Sequence, residues 1–207
     1  MASVQIYIEG GGDSQSGLRQ LRLAFQEFFS EFSGRQPKVV ACGGRGAAFD
    51  DFGTALREAA RKDLDTFIIL LVDAEAEVNV SSARQHLSQR DGWDLQGIGD
   101  DQVHLLVQAI EAWLIADRDA LRKHYGADLN ENALPGRQPE EIPKNDLKRA
   151  LKQAGRNTKK KGYHEISDGT KILELLDPAK VRAACPHCRA LFAIISRETG
   201  IPLPDLQ

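Results

Sequence analysis

The spacing of apolar residues changes several times along this chain, and each change predicts an element. Residues 4–8 form a largely apolar run that reads as a strand. Leu18, Leu21, Phe25, Phe28, Phe29 and Phe32 follow at spacings of mostly three and four, which places them on one helix face. Pro37 precedes a second short strand at 38–42. The turn Gly43-Gly44-Arg45-Gly46 then leads into a helix with Phe52, Ala55, Leu56 and Ala59 along one side. Residues 66–72 are almost continuously apolar, as expected of a central parallel strand covered on both faces, and 103–107 is a weaker fourth strand. Strands alternating with helices predict an α/β fold, a four-stranded and mainly parallel sheet flanked by helices.

Beyond Ala109 the period is helical, with Ile110, Trp113, Leu114 and Leu121 as buried positions and no further strand. Pro135, Gly136, Pro139 and Pro143 mark 126–143 as a long loop. It precedes a helix whose apolar side carries Leu147, Ala150, Leu151 and Ala154 and whose other faces are basic. The expected organisation is an α/β core at 1–125 and a loop with a helical C-terminal extension at 126–207, packed on that core.

Composition narrows the class. With 207 residues and 42% hydrophobic content the chain can build a substantial core. Three cysteines cannot make a complete disulfide framework, and the odd count fits a reducing compartment. No apolar stretch reaches the length of a membrane span, and no charged-then-apolar leader pattern precedes the first strand, so a cytoplasmic, non-membrane protein is expected. The net charge of −3 hides an asymmetry. Residues 1–117 hold 10 Lys+Arg and 18 Asp+Glu, whereas residues 118–182 hold 15 and 10. An acidic half joined to a basic half suits phosphodiester chemistry, because the basic part can hold a backbone that the acids would repel.

The acids fall at informative places. Glu9 closes the first apolar run, and Asp73-Ala74-Glu75 closes the central one. Carboxylates at the carboxyl ends of parallel strands point into the crevice where open α/β sheets bind ligands. Asp73 and Glu75, two apart, would emerge on one side of an extended chain. Crowded acids without nearby Cys or His repel unless a hard divalent cation neutralises them, so Mg2+ or Mn2+ is the expected cofactor. The string Glu9-Gly10-Gly11-Gly12-Asp13 adds a fourth carboxylate and a glycine turn; Asp13 or Ser14 also suits a helix cap. It is neither a dinucleotide fingerprint, since Gln15 stands where the last glycine belongs, nor a P-loop, since no Lys-Ser/Thr follows.

Between Lys144 and Lys161 eight basic residues face a single acid, Asp146. Lys148, Lys152, Lys159, Lys160 and Lys161, with Arg45 and Lys171, are the expected contacts to a nucleic-acid backbone; a solvated amphipathic face is the competing reading. Cys185-Pro186-His187-Cys188 has dithiol spacing, but it lies far from the start of a βαβ unit and lacks two further zinc ligands. Neither redox nor zinc chemistry is expected there.

A glutamate ending the first strand, a glycine-rich turn, and an acidic pair after a later strand together resemble the Toprim pattern. That pattern is shared by topoisomerases, bacterial primases, ribosomal-RNA maturases and the overcoming-lysogenization-defect nucleases. Glu9 and Asp73-Ala74-Glu75 occupy its positions, and the spacing of Glu9 and Asp13 looks most like the nuclease branch. The segment 109–117, Ala-Ile-Glu-Ala-Trp-Leu-Ile-Ala-Asp, with the later Cys-Pro-His, resembles over nearly the whole chain a small bacterial Toprim-like group often encoded beside an ATPase. The resemblance implies a Mg2+-dependent nuclease acting on DNA or RNA, with Glu9, Asp13, Asp73 and Glu75 on the metal and Glu111 completing the acidic set. It further implies a role in antiphage defence with a partner ATPase. The sequence leaves a homo-oligomer open. Position 75 is Glu where aspartate is commoner, and Glu77 is no established third acid of the series. A non-catalytic nucleic-acid-sensing subunit and a phosphohydrolase using Asp73 as nucleophile are the rival expectations.

Overall fold

Alternation within the strands decides which core each side chain joins. Along β1 (Ser3–Ile8) and β3 (Thr66–Asp73), Val4, Ile6, Ile8, Ile69 and Leu71 enter one hydrophobic cluster, while Tyr7, Ile68, Leu70 and Val72 enter the other. Both faces are therefore covered, which is why the central run reads as unbroken apolar sequence. With β2 (Lys38–Ala41) and β4 (Val103–Leu106) these strands form one all-parallel sheet in the order β2-β1-β3-β4. The computed structural model describes residues 1–203.

Helix α1 (Gln15–Phe28) packs its Leu21, Phe25 and Phe28 on the first face, and Ser14 caps it by accepting from the Gly17 N–H at 3.0 Å. Helices α2 (Arg45–Lys62) and α3 (Ala83–Asp91) cover the second face through Ala48, Phe52 and Leu87. Chain direction thus diverges between β1 and β3: β1 leads outward to β2, and β3 outward to β4. A crevice opens at their carboxyl ends.

The helices after β4 are α4 (Glu111–Ala116), α5 (Arg118–Tyr125), α6 (Lys144–Ala154), α7 (Ser167–Leu173), α8 (Pro178–Ala184) and α9 (Pro186–Thr199). They complete the first core rather than form a separate one. Trp113 is fully buried with its ring 5.2 Å from Phe28, and Phe192 of α9 lies 5.4 Å from both Phe28 and Phe29. Asp117 accepts from the Asp119, Ala120 and Asp177 backbone N–H groups, so it joins α5 to α8.

Residues 126–143 are more organised than a long open loop. They contain two 3-10 turns, Glu131–Ala133 and Pro139–Glu141, and bury Leu134 and Ile142. Glu140 accepts hydrogen bonds from the His187 backbone N–H at 3.0 Å and, at 2.7 Å, from its ring Nδ1. Tertiary anchors, not local periodicity, order this segment. No helix among the described residues is long and apolar enough to cross a membrane.

Candidate functional site at the β1–β3 crevice

Register places the acids. Ile8 pairs with Leu71, the Glu9 N–H still donates to the Leu71 carbonyl at 3.2 Å, and Asp73 is the last residue of β3. Glu9 and Asp73 therefore end adjacent strands at the switch crevice. Glu75 arrives differently from the extended geometry its spacing suggested, because its φ is 64°, in the left-handed region. Its carboxylate still meets the same partner as Asp73, through a turn rather than through strand alternation. Holding a glutamate there costs about 1–3 kcal/mol, strain of the kind that clusters at functional sites.

The glycine turn is packed as tightly as it is bent. Gly10, Gly11 and Gly12 all have positive φ, and Gly10 exchanges backbone hydrogen bonds with Gly43 at 2.7 and 3.1 Å. A Cβ on Gly17 would lie 2.1 Å from the Gly11 carbonyl oxygen, so the turn lies directly on the first turn of α1.

Two cations hold the acids. Arg45, at the start of α2, donates to Glu9 at 2.9 Å, to the Asp73 carbonyl at 2.6 Å, and to both oxygens of Asp91 at 2.9 and 2.8 Å. Its guanidinium also sits 5.1 Å from the Trp93 ring centre. Lys144, the first residue of α6, donates to Asp73 Oδ2 at 2.9 Å and to Glu75 Oε1, while the other Asp73 oxygen accepts from the Ile110 N–H at 3.1 Å. Burial pushes the Glu9 and Asp73 carboxyls above the ordinary carboxylate range. For Glu9 the Asp73 charge adds to this, and for Asp73 burial outweighs the opposing charge of Lys144. Burial alone would lower the Lys144 pKa, but Asp73 and Glu75 more than offset it and hold it raised.

A third acid sits deeper. Glu111 opens α4, is 2% exposed, and accepts from the Tyr163 hydroxyl at 3.1 Å; Lys148 Nζ is 4.0 Å away and pairs more closely with Glu165 at 2.7 Å. Glu111 Oε2 has no hydrogen-bond partner among the described residues. Burial, then the Asp73 charge, raise its pKa. Glu9, Asp73, Glu111, Lys144, Lys148 and Glu165 all line one cavity of about 260 Å³, together with Gly10 to Gly12 and apolar side chains from α1, β4 and α7.

Of the expected site residues, Glu9, Asp73, Glu111 and Lys148 line the cavity, whereas Glu75 and Arg45 lie outside its lining and join it through Lys144 and Glu9. Asp13 is exposed, beside the capping Ser14 and outside the cavity lining. Lys152, Lys159, Lys160, Lys161 and Lys171 are exposed and also outside it. Arg45 is committed to three carboxylate and carbonyl partners rather than open to a phosphate. Lys144, Asp91, Tyr163, Glu165 and Trp93 were not singled out. Only Lys144 carried a signal, as the first basic residue of its run. Cys185 and Cys188 are buried at the start of α9, and burial pushes both thiols far up, as a structural role requires.

As donors to an ion, Glu9, Asp73, Glu75 and Glu111 are all hard oxygens. In the arrangement described, Arg45 and Lys144 supply the positive charge. Among the described residues no three Asp, Glu, His or Cys side chains already converge closely enough to hold a metal. The donor chemistry fits Mg2+ or Mn2+, and engagement of an ion by Asp73 and Glu75 would compete with Lys144.

An open parallel α/β domain with paired acids at its switch crevice, and lysines from an added helix closing over them, defines the class. Within that class the chain belongs to the DUF4276 family, a domain of unknown function, whose model matches residues 8–196. No curated protein and no solved structure shows a significant match to the chain.

Proposed function

We propose that this protein is a Toprim-like, Mg2+- or Mn2+-dependent nuclease that hydrolyses phosphodiester bonds of DNA or RNA, working in antiphage defence with a partner ATPase. One observation carries the chemistry: Glu9 and Asp73 end adjacent parallel strands and share a single cavity with the buried Glu111, while Lys144 and Lys148 of α6 line the same space. Glu9, Asp73 and Glu75 would hold the ion, which when bound lowers the pKa of an attacking water and stabilises the leaving oxygen. Arg45 orients Glu9 from a rigid platform of Asp91 and Trp93. Lys144 and Lys148, one helical turn apart, would hold the phosphate once Lys144 leaves Asp73 and Glu75 and Lys148 leaves Glu165. Glu111 lines the same cavity and retains its proton to higher pH than an ordinary carboxyl, which suits it to proton exchange there.

The test is metal-dependent nicking of supercoiled DNA and cleavage of RNA. In Glu9→Ala and Asp73→Ala proteins that remain folded, cleavage should fall by about 100-fold or more. Wild-type rates in both variants would refute hydrolysis at this site. The prior commitment of Glu9 to Arg45 and of Asp73 to Lys144 favours a second reading, a nucleic-acid-sensing subunit that does not cleave. Absence of both cleavage and Mn2+ binding, with nucleic-acid binding retained, would select that reading.

A further inference from the structure

The cavity is larger than an ion and its phosphate require, and its walls differ in kind. Leu21, Phe25, Leu106 and Leu173 form a buried apolar floor, while Glu165 and Ile166 stand exposed at the rim. Glu111 borders the same cavity, and its Oε2 is buried and without a hydrogen-bond partner among the described residues. Tyr163 fixes the other oxygen of the same carboxyl, so Oε2 cannot swing away to solvent without breaking that bond. An unsatisfied polar atom inside a protein calls for a partner. The partner this site lacks is one with a flat apolar body, a hydrogen-bonding edge for Glu111, and an anionic end for Lys144 and Lys148.

We propose that the cavity receives a single unpaired nucleotide, its base on the apolar floor with an edge toward Glu111, and its phosphate at the Glu9–Asp73 rim. The substrate is then nucleic acid that is single-stranded, or flipped out, at the nucleotide bound. About 260 Å³ accommodates one nucleoside, and a base stacked and paired inside a duplex cannot reach a pocket of this kind. The activity side of this proposal rests on the nuclease reading; the binding side does not.

Calorimetry on the full chain, with and without Mg2+, compares adenosine and guanosine 5′-monophosphates with ribose 5-phosphate. At least one nucleotide should bind roughly tenfold tighter than the sugar phosphate, the worth of one stacked base. Ile166→Trp, which fills the rim at a half-exposed position, should abolish that preference without lowering the melting temperature. Glu111→Gln should change the preference between the two bases. Equal binding of sugar phosphate and nucleotides, or a preference unaltered by Ile166→Trp, overturns the proposal. In parallel, oligonucleotides carrying one abasic site at successive positions should lose about tenfold in cleavage at a single position relative to the cut. Uniform cleavage of all of them, with duplex cut as fast as single strand, sinks the unpaired-base idea while leaving the nuclease standing. Nucleotide binding lost in Ile166→Trp, with no oligonucleotide cut in any metal, sinks the nuclease reading and leaves the pocket.

Discussion

Lys144→Met separates a lysine that substitutes for a metal from one that merely decorates a helix. Lys144 Nζ lies 2.9 Å from Asp73 Oδ2 and also pairs with Glu75, with the three side chains 16–24% exposed. At 2.9 Å the Coulomb attraction is about 6 kcal/mol for an effective dielectric near 20, before desolvation is subtracted. Removing one partner of a buried pair costs about 3–5 kcal/mol, because the stranded carboxylate stays desolvated. Partial exposure argues for the lower end, about 3 kcal/mol, which for a chain of this size lowers the melting temperature by roughly 6–12 °C. The Lys144 pKa is raised, so its stabilisation is fully present below the ordinary lysine range and fades only as pH rises through the raised value. A melt near neutral pH therefore reads the full effect. Methionine keeps the apolar stem and leaves two carboxylates free for an ion. At about 100 times its dissociation constant, Mn2+ should return about 2.7 kcal/mol to the variant. The wild type should gain less, because the ion must first displace the ammonium. The assay is thermal and urea unfolding in EDTA and in Mn2+, for both proteins. A loss under about 0.5 kcal/mol in EDTA, or no greater Mn2+ rescue in the variant than in the wild type, would refute the reasoning.

Other expectations follow from the same structure. The Glu111 carboxyl has a raised pKa, so the folded state holds its proton longer than the unfolded chain, and its contribution to stability falls as pH rises from the ordinary carboxylate range through the raised value. Glu111→Gln should flatten that slope in urea midpoints taken between about pH 4 and pH 8; an unchanged slope would show that Glu111 ionises normally. Trp113→Ala should cost about 3–5 kcal/mol in denaturant unfolding, since its ring is fully buried against Phe25 and Phe28. Native protein should expose at most one thiol to Ellman's reagent, and slowly, because Cys42 is half-buried with its pKa pushed up to about 12, while Cys185 and Cys188 should react only on unfolding. Two fast-reacting thiols in the native state would contradict the burial at the start of α9.

Periodicity is a local property, and what depends on it was legible in the sequence. Four strands follow from short, nearly continuous apolar runs, and the helix carrying Phe25 and Phe28 and the apolar side of α6 from spacings of three to four, because a sheet covered on both faces and a helix packed on one demand those patterns. Glu9 and Asp73 could be read as strand-end acids for the same reason. What they touch could not. Lys144 reaches Asp73 and Glu75 across about seventy residues, Arg45 is held by Asp91, and Glu111 is bonded to Tyr163 more than fifty positions away. Ion pairs and hydrogen bonds between distant segments leave no period in the chain, so only packing decides which cation meets which acid. Glu75 shows the difference within three residues: alternation assigned its side by extended geometry, whereas a left-handed turn brings it to Lys144. The proline-bearing stretch at 126–143 carried breaker residues and nothing more. The bond between Glu140 and His187, made only once α9 has docked, turns that stretch into a wall of the fold.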